Sequence, residues 1–501
     1  MSWLILLFLL LKLFVFFVIV VVLIKGIGYL FYRWRRVSEF WQPKPLGRKL
    51  VSNLAIGLSF LYVIIVFPPD RLAVMEDNFM DFLMDSYSKS SLSVEKNIPE
   101  IILLDIDDKT YKKWGNPPLT PRDKLKNLID TAVHAKARLI VVDVNVSPSV
   151  SSEKTLTKGE ETLKTYLNNY VKTCKQLDSC IPIIFVRAFE HGSSSARIPR
   201  RGFLEDVITP SAPYLQWGSA QLYRSKTDRI VRRWRLWEPT SCDKDEQQGI
   251  TLSIELLVMG IIRECIEDIQ RELYPFQPQN CNINEVPTPT SVTLCGLNIN
   301  TDDRIQRRIM YRIRWSNDEE KPPDLPYTVV DKNGLPILSI FSASPYAKPS
   351  LSEGLSKLPS DSIIIIGGSY RDIFDKSDVH LTPIGKMPGA LIISNAIYSL
   401  LQDKTVKPVP ILMWLLIATL FIVVITSIEY YLSSGWWKWL VAGFIIVILG
   451  ISNVYFFKNG TWLNIAVPLL IIEIYLEIYP KFLKVFEVGK IHLPKLKIWQ
   501  K

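Results

Sequence analysis

Residues 101–122 read "IILLDIDDKTYKKWGNPPLTPR": four apolar residues run into Asp105, Asp107 and Asp108, and the passage closes on Arg122. An apolar run of branched residues with no polar alternation is the pattern of a strand buried on both faces, as in a parallel sheet covered by helices. Three other runs share it: "RLIVVDVNV" (138–146), "IPIIFV" (181–186) and "SIIIIGG" (362–368). Helical spacing lies between them. Leu125, Leu128, Ile129, Ala132 and Val133 recur at i, i+3, i+4, i+7 and i+8, which predicts a helix over 121–136 with Thr120 as N-cap and Asp123 in the capping-box position. Residues 160–175, 250–272 and 389–402 also read as helices. The segment "RRIMYRIRW" (307–315) alternates apolar residues with Arg308, Arg312 and Arg314, the pattern of a half-exposed strand with a basic face. The middle of the chain is therefore an α/β domain with a largely parallel sheet and antiparallel additions.

The ends of the chain differ in composition. Residues 3–24 hold 22 positions with one charge, enough to cross a ~30 Å hydrocarbon core. Further apolar runs occupy 50–67, 411–428, 437–457 and 462–479. Read together they predict five transmembrane α-helices. Lys25, Arg33, Arg35, Arg36, Lys44, Arg48 and Lys49 against Glu39, and the lysines after 480, place both segments inside by the positive-inside rule. The expected layout is two helices with a basic cytoplasmic loop (1–68), an extracytoplasmic domain (69–408), three helices (409–480) and a short basic cytoplasmic tail (481–501), in the plasma (inner) membrane. Tyr430, Tyr431, Trp436, Trp437, Trp439 and Trp462 fit aromatic belts at span ends. Lys12 and Glu473 would lie about 14 Å and about 17 Å from the outer ends of their spans. They are read as an intramembrane pair, with Glu477 as alternate.

All six cysteines fall in the middle domain, which suits an oxidising compartment; Cys281 with Cys295 is the first pairing to expect. There is no C-x-x-C pair and there are only four histidines, which argues against zinc. The net charge of +10 suits lysines facing anionic lipid and gives no reason to invoke nucleic acid.

Asp105, Asp107, Asp108 and Asp143 stand at or beyond C-terminal ends of predicted strands, the edge where open α/β sheets bind ligands. Asp378 and Thr382 form a second group beyond another strand. These acids, with Arg122 as a partner, read either as caps and ion pairs or as contacts to a ligand or oxygen-bound cation. No Gly-rich phosphate loop, G-x-S-x-G or His cluster accompanies them, so a catalytic constellation is not assembled. Arg229, Arg232, Arg233, Arg235, Arg308, Arg312 and Arg314 read as a solvated basic face.

Four pieces, in order, resemble the CHASE type 2 sensory domain: "IILLDIDDKTYKKWG…TPRDKLKNLIDTAVHAKARLIVVDVNVS", "DRIVRRWRL" (228–236), "IMYRI" (309–313) and "SIIIIGGSYRDIFDKSDVHLTPIGKMPGALIISNAIYSLL" (362–401). The resemblance spans about residues 70–480. It departs at 116–121, where "NPPLTP" replaces a Trp-Pro-Trp, and at Arg229, where the family carries Gly. An extra span precedes the family's usual one, and the kinase, cyclase or similar output domain that typically follows is not found in the last 22 residues. The resemblance implies a membrane-embedded extracytoplasmic sensor without catalytic residues. It would take an unknown small ligand, form a possible homodimer and signal to a separate cytoplasmic effector of kinase, cyclase or caspase-like peptidase type. Lipid contact is expected, and no cofactor is implied. The alternatives are a membrane-anchored metal-dependent hydrolase using the aspartates and a pore component with a regulatory exported domain.

Overall fold

The branched runs place four adjacent strands at the centre of one seven-stranded sheet. The structure is a computed structural model describing residues 70–90, 98–147, 156–177, 180–190, 197–240, 249–276, 291–300, 307–316, 322–348, 358–371, 377–403, 405–431 and 435–463, with Gly47, Leu50, Asn53, Leu54, Gly57 and Leu58. It divides into a unit from Asp81 to Lys407 and a second unit made of Met1–Met80 with Pro408–Lys501.

In the first unit the sheet strands are β1 (Ile101–Ile106), β2 (Leu139–Val142), β3 (Ile183–Arg187), β4 (Leu215–Ser219), β5 (Tyr327–Val330), β6 (Pro336–Ser342) and β7 (Ile363–Gly368). Their spatial order is β5–β6–β1–β7–β2–β3–β4. Every neighbouring pair is parallel except β5 with β6. The last strand in sequence thus lies between the first two. All six residues of β1 are buried, and each fully buried Ile or Leu contributes roughly 1.5–3 kcal/mol.

The helices follow the apolar spacing. The first half of α1 (Asp70–Ser88) belongs to the second unit and the rest, from Asp81, to the first. A short α2 (Asp108–Lys113) follows β1 directly. In α3 (Arg122–His134) the buried face is Leu125, Leu128, Ile129 and Ala132. Its N-cap is Pro121, with no side-chain cap, in place of the expected Thr120 box. The capping box stands instead at the start of α4 (Lys158–Leu177): Thr157 N donates to Glu160 Oε2 at 2.9 Å and Glu160 N to Thr157 Oγ1 at 3.3 Å. That reciprocal pair satisfies two otherwise orphaned donors.

Ile102, Leu104, Ile140, Val142, Ile364 and Ile366 share one core with the apolar faces of α3 and α4. The alternate residues point to the other face, which α5 (Ile254–Ile262) and α6 (Gly389–Leu401) cover. The predicted helix 250–272 is divided. Ile250–Leu252 is a strand, α5 follows it, and Ile266–Leu273 is a separate helix. A hairpin of β8 (Val379–Thr382) and β9 (Gly385–Pro388) leads straight into α6.

Two disulfides are formed among the described residues. Cys174–Cys180 closes the end of α4, and Cys265–Cys295 ties the helix at 266–273 to the hairpin of Ser291–Leu294 and Leu297–Asn300. Cys295 therefore does not take Cys281, the pairing that sequence proximity favoured; Cys242 and Cys281 lie outside the described residues.

In the second unit, α7 (Ile411–Tyr431) and α8 (Gly435–Lys458) are the long helices. Leu72, Ala418 and Ile422 form a small buried cluster. Polar contacts are internal as well: Asn53 donates to Thr426 Oγ1 at 3.1 Å and Asn453 to Leu463 O at 2.6 Å. Trp462, expected in an interfacial belt, is buried and donates its indole N–H to Glu76 at 3.0 Å.

Among the described residues no helix is long and apolar enough to cross a membrane. This overturns the five transmembrane helices, the membrane anchoring and the multi-pass inner-membrane topology. Composition registers an apolar run, whereas a span requires that run in one continuous, predominantly apolar helix. Residues 3–24 and most of 50–67 and 462–479, with Lys12, Glu473 and Glu477, lie outside the described residues.

Candidate functional site

The face of the sheet under α6 ends in an acidic row. Along β1, β7 and β2 the paired residues are Ile101–Ile363–Leu139, then Leu103–Ile365–Val141. Next, Asp105 pairs with Gly367, and Asp143 follows the last β2 pair, Val142–Ile366, with its N–H donating to Ile366 O at 2.8 Å. Asp105, Gly367 and Asp143 are thus level. Two strand spacings separate the two carboxylate-bearing chains by roughly 10 Å.

Asp105 is 1 % exposed. Its Oδ2 accepts from Ser369 Oγ at 2.6 Å, and its Oδ1 is buried without a hydrogen-bond partner. Burial, opposed by the Ser369 bond and assisted by the nearby charges of Asp107 and Asp108, pushes its pKa up to about 7. Burial and the negative charge of Asp378 push Asp143 up to about 7 as well. These acids titrate where most carboxyls are long since ionised.

The third acid arrives with the hairpin. Gly389 N, at the first turn of α6, donates to Asp378 O at 2.8 Å, and Asp378 Oδ1 lies 2.9 Å from His380 Nε2. A Cβ added to Gly389 would run into the Asp378 carboxylate, and one added to Gly367 would come within 2.6 Å of Ala390 Cβ. Both glycines are needed because the first turn of α6 presses on the acid row. The exposed Asp378 and the half-buried Asp143 and Ser369 open this row to solvent.

The other predicted residues have local duties. Asp107 is the N-cap of α2 and accepts from Thr110 N at 2.7 Å. Asp108 accepts from Arg371 N at 2.8 Å. Thr382 Oγ1 donates to Gly385 O at 2.6 Å and shapes the hairpin turn. Arg122 is buried, donates to Asn145 O at 3.1 Å and lies over the Phe203 ring. Burial lowers its pKa, with the charge of Glu160 opposing; the charges acting on Asp105 and Asp143 come from other aspartates. Among the described residues no group of three or more His, Cys, Asp or Glu could hold a metal. The metal-dependent hydrolase therefore has no centre among the described residues; Asp107 and Asp108 each accept from a backbone amide instead. With no membrane-crossing helix among the described residues, the pore reading falls too.

Apart from the exposed Arg229, the arginines are not a solvated face. Arg232, Arg308 and Arg312 are buried, and segment 307–316 is irregular apart from an isolated bridge between Arg233 and Arg308. Arg232 forks onto both Asp81 and Asp228 (Nη2–Oδ2 2.7 Å and 2.6 Å), and Arg308 reaches the other oxygen of Asp81 at 2.8 Å. The Arg232 hydrogen bond holds Asp228 well below the usual carboxylate range. Arg314 pairs with Asp85, and Arg312 donates to Tyr87 O while stacking over the Tyr87 ring at 3.8 Å.

Ser369, His380, Gly389 and Asn395 were not singled out from the sequence. Ser369 stands only as the residue after the "SIIIIGG" run. Asn395 had a stronger signal, an amide side chain in a mostly apolar helix, where burial demands partners. Searches of characterised proteins and of solved structures return no match. The family model for the CHASE2 domain matches residues 57–428, most of the chain. The chain therefore belongs to the CHASE2 domain family and is, like that family, a sensory and binding protein rather than an enzyme.

Proposed function

We propose that the acid row is the reading edge of this sensory domain, and that it receives a small organic amine. The observation that carries this is the buried, unpartnered Oδ1 of Asp105 in a row whose open positions offer mainly acceptors. An orphaned buried acceptor costs free energy until a donor arrives. A ligand bearing N–H groups and positive charge supplies that donor and favours the ionised carboxyls. The spacing of Asp105 and Asp143 suits a molecule with two donor ends better than a single ion. The bound state is then passed to a separate effector protein of kinase, cyclase or caspase-like peptidase type.

The test is a thermal-shift series on the full chain with monoamines, amino acids and 1,4-diaminobutane. Amines should stabilise the wild type, and both Asp105→Asn and Asp143→Asn should abolish the shift. A shift that survives in both variants, or none with any amine, removes this reading.

A further inference from the structure

We infer that α6 couples the acid row to α1 through the irregular segment 308–314. The inference rests on the acid row being the reading edge, but its geometry stands apart from any ligand.

At its N-terminal end α6 has no slack. Its first turn is bonded to Asp378 O and fills the space over Gly367, so a Cβ at either Gly367 or Gly389 would overlap a neighbour. All thirteen residues of α6 are buried. Close-packed surroundings pass displacement on instead of absorbing it. A change at Asp143 or Asp378 therefore acts on the helix as a body.

Farther along, α6 takes over the backbone of a segment that lacks a full strand ladder. Asn395 Oδ1 accepts from Arg312 N at 3.0 Å and Ile313 N at 2.9 Å, and its Nδ2 donates to Ile313 O at 3.0 Å. Ser399 Oγ accepts from Met310 N at 3.2 Å. These bonds set where the arginine side chains of the segment begin.

Those arginines hold α1. Arg308 binds Asp81, Arg314 binds Asp85 and donates from Nε to Ser88 Oγ at 3.0 Å, and Arg312 binds Tyr87 O and Ser90 Oγ. Asp81, Asp85 and Ser88 recur at i, i+4 and i+7, one face of the helix. The position of this face thus follows the segment, and the segment follows α6.

Hydrogen–deuterium exchange of the full chain tests the coupling, read over residues 81–90 with β1 and β7 as the reference for global unfolding. Asn395→Leu should speed exchange over 81–90 at least about tenfold while β1 and β7 stay as in the wild type. Unchanged exchange over 81–90 overturns the inference. If Asn395→Leu does not fold, Ser399→Ala removes one bond and should give roughly a two- to tenfold increase over the same residues; no increase again overturns it. At the other end, Asp378→Asn should alter exchange over 81–90 as well as over 377–392. An effect confined to 377–392 contradicts the coupling. Neither arm uses an amine, so loss of amine binding leaves this readout standing. Conversely, an intact amine response with an indifferent α1 would sink only the coupling.

Discussion

Asp105 and Asp143 stand level on either side of Gly367, in the row that ends the α6-facing side of the sheet. Both are pushed up to about 7, chiefly by burial. Two acids held at the edge of ionisation make that row responsive to charge brought by a ligand.

The pH dependence of stability follows with a definite sign. A carboxyl raised from 3.8 to about 7 binds more protons folded than unfolded between those values. The stability that such a carboxyl contributes is therefore full below about 4 and is lost as pH rises toward 7. For Asp105 the loss is about 4 kcal/mol, and burial raises Glu238 and Glu255 to about 7 in the same direction. Denaturant melts between pH 5 and pH 8 should show the decline, and Asp105→Asn should make it shallower while Asp143, Glu238 and Glu255 sustain the rest.

Gly367→Ala tests the close approach of α6. The new Cβ would sit 2.6 Å from Ala390 Cβ, and overpacking of this kind costs about 1–3 kcal/mol. The unfolding free energy extrapolated from urea titration should fall by that amount, with the midpoint moving to lower concentration.

Asp81→Asn leaves Arg308, fully buried, without the carboxylate charge it now meets, although Arg232 keeps Asp228. Breaking a buried pair from one side costs about 3–5 kcal/mol. Burial of Leu83, Met84 and Tyr87 still holds the helix, each side chain contributing roughly 1.5–3 kcal/mol. Local exchange over 81–90 should therefore rise before the sheet opens.

Arg229 occupies the left-handed region, with φ of 60°, where the resembling family carries Gly. A non-glycine residue there costs roughly 1–2 kcal/mol. Its side chain is exposed, so Arg229→Gly should stabilise the chain by about 1 kcal/mol in thermal or urea unfolding.

The four central strands were legible because β-branched runs have few other uses, and Asp105 and Asp143 were visible where two of those runs end. The strand order was not. Nothing local says that β7 enters between β1 and β2, the contact that brings Gly367 between the aspartates. Segment 307–315 misled because alternating arginine and apolar residues describe an exposed strand and a buried irregular segment equally well. The acids that bury these arginines, Asp81 and Asp85, lie more than two hundred residues away. Cys295 misled in the same manner, since its partner Cys265 approaches through a helix and a hairpin and not through the nearest loop.

The most direct test is calorimetric titration of the full chain with 1,4-diaminobutane at pH 6 and pH 8, beside Asp105→Asn and Asp143→Asn. Saturable binding that tightens at the higher pH, by about tenfold for each carboxyl that must ionise, and vanishes in both variants is the predicted result. Binding that is absent at both pH values, or that is the same in the variants as in the wild type, would contradict the acid row as the reading edge.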